Sequence, residues 1–326
     1  MDFHAEFFPK AFSKKINHRN KLLLVGSCFT EQIGNKLAAH KFNVLENPHG
    51  ILFNPVSIAR AVASYAAGTI YKEDDLFYYN ELWGSWQHHT KFSNIDKTKA
   101  LDAINQSKKK ANQFINEADW ILITLGSAFV YENTAEDNKD VVANCHKVPA
   151  DKFYRRLLDV QEVKHVLSDM METVKAINPF ANFIFTISPV RHLREGFIEN
   201  NRSKATLIQA VHSLTDNEAI FYFPAYELVI DDLRDYRFYA EDMVHPNYAA
   251  TNYVWEKFIA TGIDEASQQL MKDIGVVMAA RNHKPFNPSS DQHKKFLKIN
   301  VEKINKINRD HPYINLTEEL RFFNIH

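Results

Sequence analysis

Residues 21–34 read Lys21-Leu-Leu-Leu-Val-Gly-Ser-Cys28-Phe-Thr-Glu-Gln-Ile-Gly34, and the two halves carry different periods. Residues 21–25 are an unbroken apolar run, the pattern of a strand covered on both faces of a parallel sheet. From Thr30 to His40 the apolar positions Ile33 and Leu37 recur at helical spacing. Gly26 and Ser27 make the turn between strand and helix. A helix N-terminus presents free N–H groups and a positive dipole end, which stabilise a thiolate or an oxyanion. Cys28 is therefore a candidate nucleophile with a lowered thiol pKa. Ser27 reads as a helix cap or as the nucleophile itself.

Outward from this turn, strands and helices alternate. Residues 42–45 form a short second strand, and Asn54-Pro55 opens a helix that stops at Gly68, with Asn as N-cap and Pro as first helical residue. Residues 70–93, dense in Tyr, Trp and His, read as an irregular or hairpin insertion. A polar helix over 97–117 precedes the strand WILITL at 120–125. Helical spacing covers 151–177, followed by the strand FIFTIS at 183–188, a helix over 199–214, a strand at 220–223 and a helix from Pro246. This predicts an α/β protein with three α/β/α layers, a parallel sheet, and working groups at the carboxyl ends of its strands. Beyond residue 265 the pattern is helical and basic. Leu297, Val301 and Ile304 predict an amphipathic helix docked on the main domain. The expected division is residues 1–265 and a helical C-terminal extension, 266–326.

Composition bounds the function. With 326 residues, 45% hydrophobic, the chain has ample material for a core, and its formal charge of -1 gives no global basic field, so nucleic acid is not an expected partner. Two cysteines make no disulfide framework, which points to a reducing compartment and a cytoplasmic location. The opening segment lacks a signal peptide's apolar stretch, and no run approaches the ~20 apolar residues of a membrane span. Neither nucleotide-binding glycine fingerprint is present, and His88-His89 lacks further metal-ligand spacing, so no cofactor and no metal are expected.

A second constellation follows the last strand. In Asp242-Met-Val-His245-Pro246 an i, i+3 spacing within a helical turn brings a carboxylate to an imidazole. The acid can hold the ring in one tautomer while its other nitrogen serves a nucleophile. Gly50 and Gly126 lie in loops after strands, where a substrate could approach the backbone as an oxyanion pocket requires. Ser127 and Asn54 are nearby side-chain donors. His89 is a candidate pocket-lining residue, and Arg191-His192 could bind an anionic or carbonyl group. Cys145 has no motif around it and reads as inert. Trp83 and Trp86 could offer flat faces to a sugar ring or acyl group.

Gly26-Ser-Cys-Phe-Thr30 with the downstream Asp-x-x-His-Pro resembles the GSCFA family, within the SGNH (GDSL-like) hydrolase superfamily. The resemblance extends over most of residues 20–260, including TLGSAFVY at 124–131 and SPVRH at 188–192. It implies a flavodoxin-like fold and cleavage or transfer of acyl esters, including O-acetylated carbohydrate. On the superfamily's G-D-S-L-T-x-x-x-G block, Gly26 to Gly34 keeps register with Cys28 at the nucleophile and Ser27 at the Asp, so either residue could attack. His245 would move the proton, Asp242 would orient it, and the N–H groups of Gly50 and Cys28 would hold the oxyanion. Ala128 stands where the superfamily has an Asn donor, a loss worth about 2.7–4 kcal/mol of barrier elsewhere. The alternative is a catalytically weak module of the same fold that binds a glycan or acyl ligand. The sequence leaves oligomeric state unread.

Overall fold

The computed structural model describes residues 5–134 and 140–325; residues 1–4 of the opening segment lie outside them. In chain order the elements are β1 (Lys21–Gly26), α1 (Cys28–Ala39), β2 (Asn43–Glu46), α2 (Pro55–Ala67), β3 (Phe77–Tyr79), β4 (Leu82–Gly84), α3 (Lys97–Ile115), β5 (Trp120–Leu125), β6 (Phe129–Asn133), β7 (Val141–Val142) and β8 (Phe153–Leu157). There follow α4 (Val160–Ile177), β9 (Asn182–Ile187), α5 (Gly196–His212), β10 (Ile220–Tyr222), the short α6 (Ala225–Glu227), α7 (Tyr248–Gly262), α8 (Glu265–Arg281), α9 (Asp291–Asp310) and α10 (Thr317–Ile325).

The central sheet runs β10-β9-β5-β1-β2, all parallel. Its strands, counted in chain order, lie 2-1-3-4-5, the flavodoxin-like arrangement. Alternation along β1 builds the layers. Leu22 and Leu24 join Phe29, Ile33 and Leu37 of α1 and Val254 and Phe258 of α7. Leu23 and Val25 face the opposite way, among Ile58 and Val62 of α2, Val163 and Leu167 of α4, and Leu207 and Val211 of α5. Covering both faces is what the unbroken apolar run of β1 demands, and each such buried side chain contributes roughly 1.5–3 kcal/mol.

Gly26 ends β1 at φ +148, and a Cβ there would stand 2.2 Å from the Thr124 carbonyl oxygen. Only glycine lets β1 and β5 approach while the chain turns into α1. The Gly26 N–H donates to Asn47 Oδ1 at 2.9 Å, which ties the loop after β2 to the same corner.

Four details differ from the sequence reading. Residues 151–177 are not one helix: β8 precedes α4, and β7-β6-β8 form a separate antiparallel sheet. Asp159 is the boundary, capping α4 through Glu162 N with a reciprocal Glu162 contact. The segment Asp242 to His245 is a non-helical turn with Met243 at φ +57, and α7 starts at Tyr248 behind the N-cap Asn247. Finally, α9 packs with α8 and α10, where Leu297, Ile304 and Ile307 meet Ile274, Val277 and Phe323. Glu319 of α10 reaches Lys41 at 2.9 Å and so links this helical group to the sheet domain. No helix among the described residues is long and apolar enough to cross a membrane.

Candidate active site

The turn after β1 separates its two candidate nucleophiles by exposure. Ser27 is 0% exposed, its N–H donates to the Thr124 carbonyl at 3.2 Å, and its hydroxyl accepts from Phe29 N at 3.3 Å as the N-cap of α1. Cys28 is the first residue of α1 and is half-buried. The expectation of a lowered thiol pKa does not hold in sum, because burial pushes the thiol up. The amides of Phe29 and Cys28 pull it back down, Glu31 pushes it up, and the charge of Lys204 pulls it down.

His245 Nδ1 lies 2.6 Å from Asp242 Oδ2. Asp242 Oδ1 accepts from the amides of Val244 at 2.9 Å and His245 at 3.0 Å. Those amides and the imidazole hold the Asp242 carboxyl down at about 2. Arg191 holds this turn in place. Its N–H donates to the Val244 carbonyl at 3.1 Å, its guanidinium reaches the Met243 carbonyl at 3.4 Å, and it stacks 4.1 Å from the Tyr239 ring. The predicted anion ligand is thus engaged with the Asp242–His245 turn.

Several predicted oxyanion donors are already engaged. Gly50 N–H donates to Asn47 O at 2.8 Å, which corrects its expected role. The amides of Gly126 and Ser127 both donate to Phe53 O, at 2.8 and 3.0 Å. Ser127 Oγ accepts from Phe129 N at 3.1 Å, and Asn54 Oδ1 accepts from Ser57 N at 2.8 Å as the N-cap of α2. With the Phe29 amide held by the Ser27 hydroxyl, the amide of Cys28, which bears on the sulfur, is the donor left at that corner among the described residues.

Beside this edge lies a cleft of about 520 Å³. Of the predicted residues, Asn54, Ser127 and His192 line it, together with Cys145, His146 and Arg194, which sequence reasoning did not assign to a site. Cys28, His245, Gly50 and His89 are not part of its wall. His89 instead caps a short turn, accepting from Lys91 N at 3.2 Å. His88 is buried and stacks on His49 at 4.0 Å, while the half-buried Trp86 stacks on Phe77 at 3.7 Å. Among the described residues no group of three His, Cys, Asp or Glu side chains is placed to hold a metal.

The residue that the sequence reading missed is Lys204 of α5, 1% exposed. Its ammonium donates to the carbonyls of Gly126 at 2.6 Å and Ser188 at 2.7 Å, just past the ends of β5 and β9. Burial pulls its pKa down to about 7, against the upward pull of Cys28. His192 is held down at about 3 by burial, then by Lys204 and His245, and its Nε2 is buried without a partner. The charges of Cys28 and Lys204, of Lys204 and His192, and of His192 and His245 thus act on one another in pairs. The signal for Lys204 was its spacing, three and seven residues before Leu207 and Val211 on the buried stripe of α5.

No curated protein matches the chain. Among solved structures it is similar to a Streptococcus pneumonia protein named for platelet activating factor, at 12% identity and TM-score 0.39, covering 74% of this chain and 83% of that one. It is also similar to a carbohydrate esterase family 3 protein from Talaromyces cellulolyticus, at 9% identity and TM-score 0.36, covering 78% and 99%. A third is an acetyl xylan esterase from Butyrivibrio proteoclasticus, at 12% identity and TM-score 0.37, covering 79% and 65%. These likenesses are distant, and the fold stands on the chain's own topology. Family models are more direct: the GSCFA domain protein C-terminal domain matches residues 274–326, and the GSCFA family matches residues 21–258. The turn around Cys28 and the Asp242–His245 pair both fall within that second match, and the chain belongs to the GSCFA family.

Proposed function

We propose that the protein cleaves or transfers the acyl group of an ester, with Cys28 as nucleophile, His245 as proton carrier and Asp242 as the residue that orients it. The observation that carries this reading is the 2.6 Å contact between His245 Nδ1 and Asp242 Oδ2 in a turn that Arg191 clamps. When Nδ1 donates to Asp242, Nε2 holds the lone pair that takes a proton from a thiol or water and returns it to the leaving alcohol. Cys28 is favoured over Ser27 because the serine is fully buried and its hydroxyl is occupied as a cap. The Cys28 amide, at the N-terminus of α1, supplies the oxyanion contact. Small acyl esters, including O-acetylated carbohydrate, are the substrates this reading expects, bound with no cofactor at a cytoplasmic location.

A second reading, a catalytically weak module that binds a glycan or acyl ligand in the cleft, is favoured by the engaged amides of Gly50, Gly126 and Ser127. The test combines p-nitrophenyl acetate turnover with intact-mass detection of an acyl probe on wild type, Ser27→Ala, Cys28→Ala and His245→Ala. The proposed reaction predicts that label and turnover vanish in Cys28→Ala and persist in Ser27→Ala. Equal turnover in wild type and His245→Ala removes the triad, and ligand binding without any turnover favours the module.

A further inference from the structure

Lys204 has no part in the scheme above, although its placement is the least favourable of any charged side chain at this edge. An ammonium removed from water needs a counter-charge or full hydrogen bonding. Its Nζ has two backbone carbonyls, from Gly126 and Ser188, and no ion pair with a carboxylate among the described residues. An ammonium has three N–H groups, so the two carbonyls leave one position over. The charged and titratable groups that face it are few. From α1 comes the Cys28 thiol, from the loop after β9 comes His192, and from α6 the Tyr226 ring stands 5.8 Å away. Neither His192 nor Tyr226 is an anion at neutral pH. Facing Cys28 in turn are Glu31, which opposes ionisation, and the amides of Cys28 and Phe29, which favour it.

The strand register explains the proximity. Gly26 of β1 pairs with Thr124 of β5, and Leu125 pairs with Ile187 of β9. Cys28, Gly126 and Ser188 are thus the residues one or two beyond the carboxyl ends of three adjacent strands, and Lys204 comes up from α5 beneath them.

We propose that Lys204 is the positioning cation of Cys28, an ammonium anchored on the Gly126 and Ser188 carbonyls that serves as the buried counter-charge of the thiolate. The pairing is reciprocal, because a thiolate favours the charged form of Lys204 and a charged Lys204 favours the thiolate, each against the burial that pushes both groups toward neutrality. This names a cation that favours ionisation of the proposed nucleophile and so rests on that reading. Its test uses thiol reactivity, which needs no turnover.

In a Cys145→Ser background, the rate of iodoacetamide alkylation at Cys28 is followed by intact mass from about pH 6 to about pH 10, since the thiolate is the reacting form. Lys204→Met is expected to raise the midpoint by about 0.3 unit and so to slow alkylation near neutral pH roughly twofold. Lys204→Arg should restore most of it. An unchanged midpoint in a Lys204→Met protein with wild-type circular dichroism overturns the proposal. If Lys204→Met does not fold, the reciprocal measurement decides: in Cys28→Ser, the 13Cε resonance of Lys204 should titrate at lower pH than in wild type, and an unmoved titration overturns the pairing. A coupled midpoint with no ester turnover would sink the enzymatic reading alone.

Discussion

The carboxylate of Asp242 grips His245 twice, through Oδ2 to the imidazole Nδ1 at 2.6 Å and through Oδ1 to the His245 backbone N–H at 3.0 Å. Ring and backbone of one residue are fixed by the two oxygens of another, so the imidazole cannot turn without breaking a charge-assisted contact. Asp242→Asn keeps the shape but offers an amide where Nδ1 donates. Ester turnover should fall about 10²- to 10⁴-fold with KM little changed. Because the Asp242 carboxyl is held at about 2, it stays ionised through the working range, and the acid limb of the pH–rate profile should not report it. A steady-state comparison of the two proteins across pH checks both statements.

Arg191 gives a second prediction. It reaches the Met243 carbonyl while stacked on Tyr239, a use of its planar fork that a lysine cannot copy. Both Arg191→Ala and Arg191→Lys should lower kcat, since each frees the turn that places His245. Melting temperature should move little, because the side chain is partly exposed. A rise in KM at constant kcat would instead assign Arg191 to substrate binding.

Much of this arrangement could be read in the sequence. The runs that became β1, β5 and β9 are apolar on both faces, and such strands announce a covered parallel sheet. Asn54-Pro55 and Gly68 bounded α2 because capping chemistry is local: Asn54 bonds Ser57 N, and Gly68 adopts φ +64. Residues 153–157 misled because Phe153, Leu157 and Leu158 continue a helical spacing into α4, and only pairing with β6 makes them a strand. Lys204 stayed hidden for a different reason. Its partners are the carbonyls of Gly126 and Ser188, 78 and 16 residues away, and no side-chain motif encodes a backbone acceptor.

Acid should unfold this protein through its buried histidines. His88 is 1% exposed and pushed down to about 3 by burial, His18 is 5% exposed and pushed to about 4, and His49, stacked on His88, is also pushed well down. The folded state keeps these rings neutral while the unfolded chain protonates them below about pH 6.5. The unfolded state then binds more protons, so stability is full above that pH and falls as pH drops toward 3, by up to about 1.4 kcal/mol per unit for each ring. Urea unfolding at about pH 7.5 and about pH 5 should show the loss. His88→Phe should reduce that slope, and an identical slope would assign the acid sensitivity to other groups.

Two glycines should respond in opposite directions to the same change. Gly26→Ala sets a methyl 2.2 Å from the Thr124 carbonyl at φ +148, so either β1 moves from β5 or the turn into α1 reopens. The expected cost is at least about 2 kcal/mol, from backbone strain plus the clash. The turn carries Cys28, so its alkylation rate should change together with stability. Gly275 lies inside α8 with nothing within 4 Å of a Cβ. There the alanine meets no obstacle and relieves glycine's entropy in a helix, which should stabilise by about 0.5–1 kcal/mol and leave Cys28 untouched. Denaturant midpoints for the pair, read beside Cys28 alkylation, separate loss of the corner that carries Cys28 from general loosening: a Gly26→Ala protein that matched wild type in both would mean that the close approach of β1 and β5 does not hold the corner together.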